Sequence, residues 1–260
     1  MGSNDPLELV ALHGFTGSGA DFDVLREALT SSVRWTTPDL PGHGENLAPF
    51  AAAYTVPAMA AAVAAHLRTL PAGQRVLLGY SMGGRVALRC ALDWPGLVDA
   101  LVLIGAHPGI QDNRARRDRA LLDARRAARI RSIGAAAFSR EWALVPLIAT
   151  QDRVPEPFRT AMRERRATND PLTLSIACEV GGTGSMEPMW SRLQEVDVPT
   201  LLVTGSEDDE YRNIVADMLP LMTTARPGTV RGAGHAAHVE SPQAFSILLG
   251  AFLDHHARIG

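Results

Sequence analysis

The stretch Val76-Leu77-Leu78-Gly79-Tyr80-Ser81-Met82-Gly83-Gly84-Arg85-Val86-Ala87-Leu88 limits what this chain can fold into. An apolar run stops at Gly-x-Ser-x-Gly, and small and apolar residues then recur at helical spacing. The pattern predicts a buried strand, a sharp turn carrying Ser81, and a helix. Glycines at 79 and 83 suit a turn in which strand and helix approach too closely for side chains. A serine placed there stands at a helix N-terminus, where backbone N–H groups can stabilise an oxyanion.

The remaining pattern is strand–helix alternation with one long interruption. Strands are expected over 7–12, 33–38, 76–80 and 100–105, with helices over 21–29 and 56–70 between them. From about 107 to 193 the strand signal stops, and helices are expected over 114–131, 133–142, 156–168 and 171–180. Alternation returns with strands over 200–204 and 225–230 and helices over 211–219 and 242–255. This order predicts an α/β protein with a mostly parallel, doubly wound sheet and right-handed crossovers. A first core part (1–106) and a second (194–260) then flank an inserted helical cap (107–193). Such sheets place their sites at the C-terminal strand ends, over which the cap would stand.

A serine nucleophile needs a base, and the base needs an orienting acid. The strand over 200–204 runs into Gly205-Ser206-Glu207-Asp208-Asp209, and later comes Gly232-Ala233-Gly234-His235-Ala236-Ala237-His238. The order Ser81, Asp208, His235 fits a nucleophile elbow on an α/β sheet, with Asp208 preferred to Asp209 by its place after the strand. The glycine-rich turn His13-Gly14-Phe15-Thr16-Gly17 lacks both P-loop and dinucleotide spacing. Its Phe15 N–H, with that of Met82, is expected to form an oxyanion hole. His235 and His238 are three apart, but no Asp, Glu or Cys cluster completes a metal site, so neither metal nor cofactor is expected.

A formal net charge of −3 over 260 residues gives no general attraction to nucleic acid or anionic membrane. The arginine-rich segment near 114–131 carries interspersed aspartates and no aromatics, unlike a nucleic-acid surface. Arg116, Arg119 and Asp123 share one helix face, which suits an anionic small-molecule substrate, and Arg85 adds a guanidinium on the helix leaving the elbow. Cys90 and Cys178 read as buried free thiols, and no apolar run is long enough to span a bilayer. Residues 1–6 show no leader pattern, and a cytoplasmic enzyme of unspecified oligomeric state is expected.

The chain resembles the α/β-hydrolase superfamily. Within it, the chain is similar to the 2-succinyl-6-hydroxy-2,4-cyclohexadiene-1-carboxylate synthases of menaquinone biosynthesis. The resemblance rests on Leu12-His13-Gly14-Phe15-Thr16-Gly17, Asp39-Leu40-Pro41-Gly42-His43-Gly44, the elbow with Tyr80 and Arg85, and Ala233 to His238. In the insertion it rests on Pro108-Gly109-Ile110 followed by Arg116, Arg119 and Asp123, on Phe138 to Trp142 before Pro146-Leu147-Ile148, on Arg166 before Asn169, and on Gly182-Thr183-Gly184-Ser185 leading to Trp190. It implies the triad Ser81, Asp208, His235, with Arg85, Arg119 and Arg166 holding substrate carboxylates and Tyr80 and Trp142 lining the pocket. The implied reaction is a lyase step, loss of pyruvate from 2-succinyl-5-enolpyruvyl-6-hydroxy-3-cyclohexene-1-carboxylate. A carboxylesterase or C–C bond hydrolase acting on another acidic metabolite is the competing expectation. Met186 and Glu210 depart from the pattern, which commonly has glutamine and lysine there.

Overall fold

A computed structural model describes residues 7–71 and 73–256; the expectation about residues 1–6 lies outside them. The strands are β1 (Leu7–Leu12), β2 (Val33–Thr36), β3 (Arg75–Tyr80), β4 (Ala100–Ile104), β5 (Thr200–Gly205) and β6 (Ala225–Val230). They form one sheet in the order β2-β1-β3-β4-β5-β6, and every pairing is parallel. The chain moves outward from β1 to β2 and then crosses back to β3 on the other side. That reversal opens a crevice beyond the C-terminal ends of β1 and β3.

Strand alternation divides the core into two layers. Val10, Leu12, Leu77, Leu101, Leu103 and Leu202 face α2 (Val56–Thr69), α3 (Met82–Asp93) and α8 (Asp209–Met218). Leu9, Ala11, Val76, Leu78, Val102, Ile104 and Val203 face α1 (Asp23–Ala28) and α10 (Pro242–His256). Side chains such as Leu9, Leu77 and Phe245 are fully buried. Each contributes roughly 1.5–3 kcal/mol relative to exposure. Both faces are covered, which is why the central strands read as unbroken apolar runs.

Between β4 and β5 lie only helical elements: α4 (Asn113–Trp142), α5 (Pro146–Ala149), α6 (Phe158–Thr168) and α7 (Pro171–Val180), with short 3-10 turns. The two helices expected over 114–131 and 133–142 meet at Gly134, whose φ of 78° and ψ of 163° interrupt α4. Arg129 and Glu141 pair across this joint at 2.6 Å. Ala127, Ile130, Phe138, Leu174 and Cys178 give the helices a small core of their own, against which Phe15 of the core turn packs. Two expectations needed trimming. The second strand stops at Thr36, before Pro38, and the segment from Gly19 begins as a 3-10 turn before α1. Short α9 (Ala237–Glu240) precedes α10. No helix among the described residues is long and apolar enough to cross a membrane.

Candidate active site

Ser81 stands between β3 and α3 with φ 51° and ψ −107°. Its N–H donates to the Ile104 carbonyl at 2.8 Å, and the Gly83 N–H donates to the His13 carbonyl at 3.0 Å, so the elbow is fastened to both flanking strand ends. A Cβ at Gly83 would overlap the Leu12 carbonyl, and one at Gly79 would overlap Gly83. The glycines are thus required by backbone-to-backbone contact.

Ser81 Oγ lies 3.1 Å from His235 Nε2, and His235 Nδ1 lies 2.8 Å from Asp208 Oδ2. Asp208 and His235 are buried. Asp208 Oδ1 also accepts the Tyr211 N–H at 3.4 Å, because Asp208 caps α8. The imidazole sits between the rings of Tyr80 and Tyr211, with centroids 5.3 and 4.3 Å away, and against Gly105, where a Cβ would come within 2.7 Å of the ring. His235 therefore has one orientation, bridging carboxylate and hydroxyl. Asp209 instead pairs with Arg212 at the surface.

The turn after β1 is set by His13. The Leu40 N–H donates to its Nε2 at 2.9 Å, which leaves Nδ1 to donate to the Gly14 carbonyl at 2.8 Å. Burial pulls the His13 pKa down, consistent with a neutral ring. In a trans peptide the N–H points opposite to the carbonyl. With the Gly14 oxygen held toward His13, the Phe15 N–H faces the other way, and Gly14, Phe15, Ser81 and Met82 all line the same cavity.

That cavity has a volume of about 520 Å³ and is open to solvent. Tyr80, Arg85, Arg119, Trp142 and Arg166 all line it, as the sequence leads one to expect. Arg85 is 7% exposed, and its Nη2 donates to the Gly181 carbonyl at 3.1 Å while its Nε is buried without a partner. Burial pulls its pKa down to about 10, so it stays charged at neutral pH. Arg119 Nε donates to both Asp123 oxygens at 2.9 and 3.0 Å. Arg166 Nη2 donates to Gln151 Oε1 at 2.6 Å, and Gln151 Nε2 in turn donates to the Tyr80 hydroxyl at 3.3 Å.

Among the lining residues that the sequence did not single out are Arg126, Gln151 and Tyr211. Arg126 shares Asp123 at 3.2 Å and lies over the Trp142 ring at 5.4 Å. Its signal was available: it falls three residues after Asp123 and seven after Arg119 on the same helix. Gln151 and Tyr211 had no local signal, since their roles depend on contacts far along the chain. Arg116, read with Arg119, turns aside to the Ile110 carbonyl and Asn113 and does not line the cavity. Of the two departures, Met186 is buried in the core and away from the cavity, whereas Glu210 lines it. His238 lies behind Tyr80, at 4.6 Å between centroids, and among Phe22 and Phe245. The described residues contain no group of three or more metal-ligating side chains.

The acids that line the cavity are partly spent. Asp21 pairs with Arg165 at 2.8 Å, Glu207 pairs with Arg153 at 2.7 Å, and the single charge of Asp123 serves two guanidiniums. Four lining arginines, set against the charges of Asp123 and Glu210, leave a surplus of positive charge beside Ser81, a combination suited to a substrate with several carboxylates.

Residues 9–246 match the model of the alpha/beta hydrolase family. A Bacillus subtilis (strain 168) protein provisionally assigned as 2-succinyl-6-hydroxy-2,4-cyclohexadiene-1-carboxylate synthase is 36% identical over 253 residues, covering 97% of this chain and 92% of its own length. The synthase of that name from Salmonella paratyphi A is 32% identical, covering 90% of this chain and 88% of its own. MenH from S. aureus superposes with a TM-score of 0.91 at 29% identity, covering 98% of this chain and 96% of that one. A thermophilic esterase from Thermogutta terrifontis superposes at 0.80 with 24% identity, covering 99% of this chain and 93% of that one, a likeness of fold.

Proposed function

The chain belongs to the alpha/beta hydrolase family and to its 2-succinyl-6-hydroxy-2,4-cyclohexadiene-1-carboxylate synthases, and we propose that it carries out their reaction. It eliminates pyruvate from 2-succinyl-5-enolpyruvyl-6-hydroxy-3-cyclohexene-1-carboxylate. The observation that carries this reading is the combination of a Ser81–His235–Asp208 relay with four arginines around one cavity. A neutral ester would give those arginines nothing to bind.

His235 takes the Ser81 proton, and the alkoxide removes the proton from ring carbon 2, beside the succinyl ketone. The electron pair forms the C2–C3 double bond, the C3–C4 double bond moves to C4–C5, and the C5–oxygen bond breaks. The leaving enolate takes a proton and becomes pyruvate, leaving a 2,4-diene. Charge developing on the ketone oxygen during proton removal is held by the Phe15 and Met82 N–H groups. Asp208 keeps His235 in the required tautomer and offsets its positive charge. Arg85, Arg119 and Arg166, with Arg126 beside them, hold the substrate carboxylates, while Tyr80 and Trp142 bound the ring. Within this reading the helices between β4 and β5 act as a cap that supplies specificity to the core beneath.

Incubation with the enolpyruvyl precursor should release stoichiometric pyruvate, and nitrophenyl esters should turn over poorly. Rapid short-chain ester hydrolysis without pyruvate release would replace this reading with the carboxylesterase.

A further inference from the structure

His235 sits in a loop between the end of β6 at Val230 and the start of α9 at Ala237. The backbone N–H groups of the residues before and after it have fixed partners. The Gly234 N–H donates to Glu240 Oε2 at 2.6 Å, and the Ala236 N–H donates to Glu240 Oε1 at 3.0 Å. The hydroxyl of Thr150, from the 3-10 turn Thr150–Arg153 that follows α5, donates to the same Oε1 at 2.8 Å. Glu240 is 5% exposed. A carboxylate at that depth requires its donors, and three charge-assisted hydrogen bonds satisfy it.

The turn Thr150–Arg153 touches the site at further points. Gln151 reaches Tyr80 and Arg166, while Arg153 donates to the Gly232 carbonyl at 2.8 Å and pairs with Glu207, the neighbour of Asp208. The approach at Thr150 is so close that a Cβ on Gly234 would overlap its hydroxyl.

We propose that Glu240 and Thr150 form a positioning clamp for His235: the carboxylate holds the backbone N–H groups of the residues before and after the base, and the threonine ties that loop to the helical insertion. The clamp rests on the reading of His235 as base, but not on the identity of the substrate. It fixes the backbone from which the imidazole must reach both Asp208 and Ser81. It also refers the base and the carboxylate-binding Arg166 to one turn of chain.

The test compares Glu240→Gln, Thr150→Val and Thr150→Ser with the unaltered protein. Its main readout is the rate at which a neutral fluorophosphonate modifies Ser81, followed by intact mass, which reports serine activation without the natural substrate. Pyruvate release and the thermal midpoint are measured alongside. Because a small misplacement of reacting groups is costly, Glu240→Gln should slow modification and kcat by about 30-fold with KM within about twofold. Thr150→Val, which keeps the carboxylate and decides the matter if Glu240→Gln does not fold, should slow both by about fivefold, and Thr150→Ser should restore them. Unaltered modification rates with only a lowered thermal midpoint would overturn the clamp and leave Glu240 as a cap of α9. Slowed modification in a protein whose unaltered form releases no pyruvate would sustain the clamp and remove the lyase reading.

Discussion

The floor and the roof of the cavity are built in different ways. The floor, from the ends of β1, β3, β4, β5 and β6, is held by contacts that end on backbone: Ser81 to the Ile104 carbonyl, Gly83 to the His13 carbonyl, Gly79 against Gly83, and Glu240 to the Gly234 and Ala236 N–H groups. The roof, from α4 to α7, is held by side chains acting on side chains: Asp123 with Arg119 and Arg126, Gln151 with Arg166. Backbone contacts leave little freedom and hold a reactive group in one geometry. Side-chain pairings can be exchanged residue by residue, so the roof can be fitted to a particular anion while the floor stays the same. Under the proposed function, reactivity belongs to the first region and selectivity to the second.

The most severe way to break this division is at the floor. Ser81→Ala should lower kcat/KM by about 10⁴-fold or more, and pyruvate release at the wild-type rate would remove every role assigned to the triad. The roof should fail differently. Arg119→Ala or Arg166→Ala should each raise KM for the polyanion by about 10–100-fold, as expected for loss of a charge-assisted contact. Modification of Ser81 by a neutral fluorophosphonate should keep its rate in both variants. A slowed modification there would mean that the roof arginines also tune the nucleophile.

Acid provides a third probe. Burial holds His43 and His238 neutral, each pushed down to about 3 from an ordinary 6.5. The unfolded chain takes up these protons near pH 6.5, whereas the folded chain resists them until about pH 3. The contribution of these two groups to stability is therefore complete above pH 6.5 and is lost as pH falls from there toward 3. His238→Leu should spare about 3 kcal/mol of that loss at pH 4.5, read as a flatter dependence of the thermal midpoint on pH. An acid limb identical to wild type would show that His238 is protonated in the folded protein. The smallest effect concerns Glu210, exposed at the cavity edge. Glu210→Gln should lower KM by about two- to fivefold at low ionic strength, with the gain vanishing in high salt.

The same division explains what could be read in advance. The parallel strands were legible because burial on both faces leaves unbroken apolar runs, and the elbow because strand, glycine-flanked serine and helix follow one another in a single short stretch. Asp208 and His235 follow strand ends in the required order, so they were legible too. Gln151, Tyr211 and Glu240 were not, because what matters is the partner each meets after the chain has crossed the sheet several times. Arg116 and Arg119 look alike in sequence, yet one binds the Ile110 carbonyl and the other faces the cavity. That distinction is made by the entry of the chain into α4, and helical spacing does not contain it.

The backbone angles of Ser81 carry a thermodynamic consequence. A non-glycine residue at φ 51° and ψ −107° occupies a sparsely populated region and costs about 1–3 kcal/mol. Ser81, the residue proposed to react, is thus a weak point in the fold, sustained by the sheet around it. Ser81→Gly should give a dead protein that melts later than the active one. The chain gives up part of its thermal margin to hold one hydroxyl where chemistry requires it.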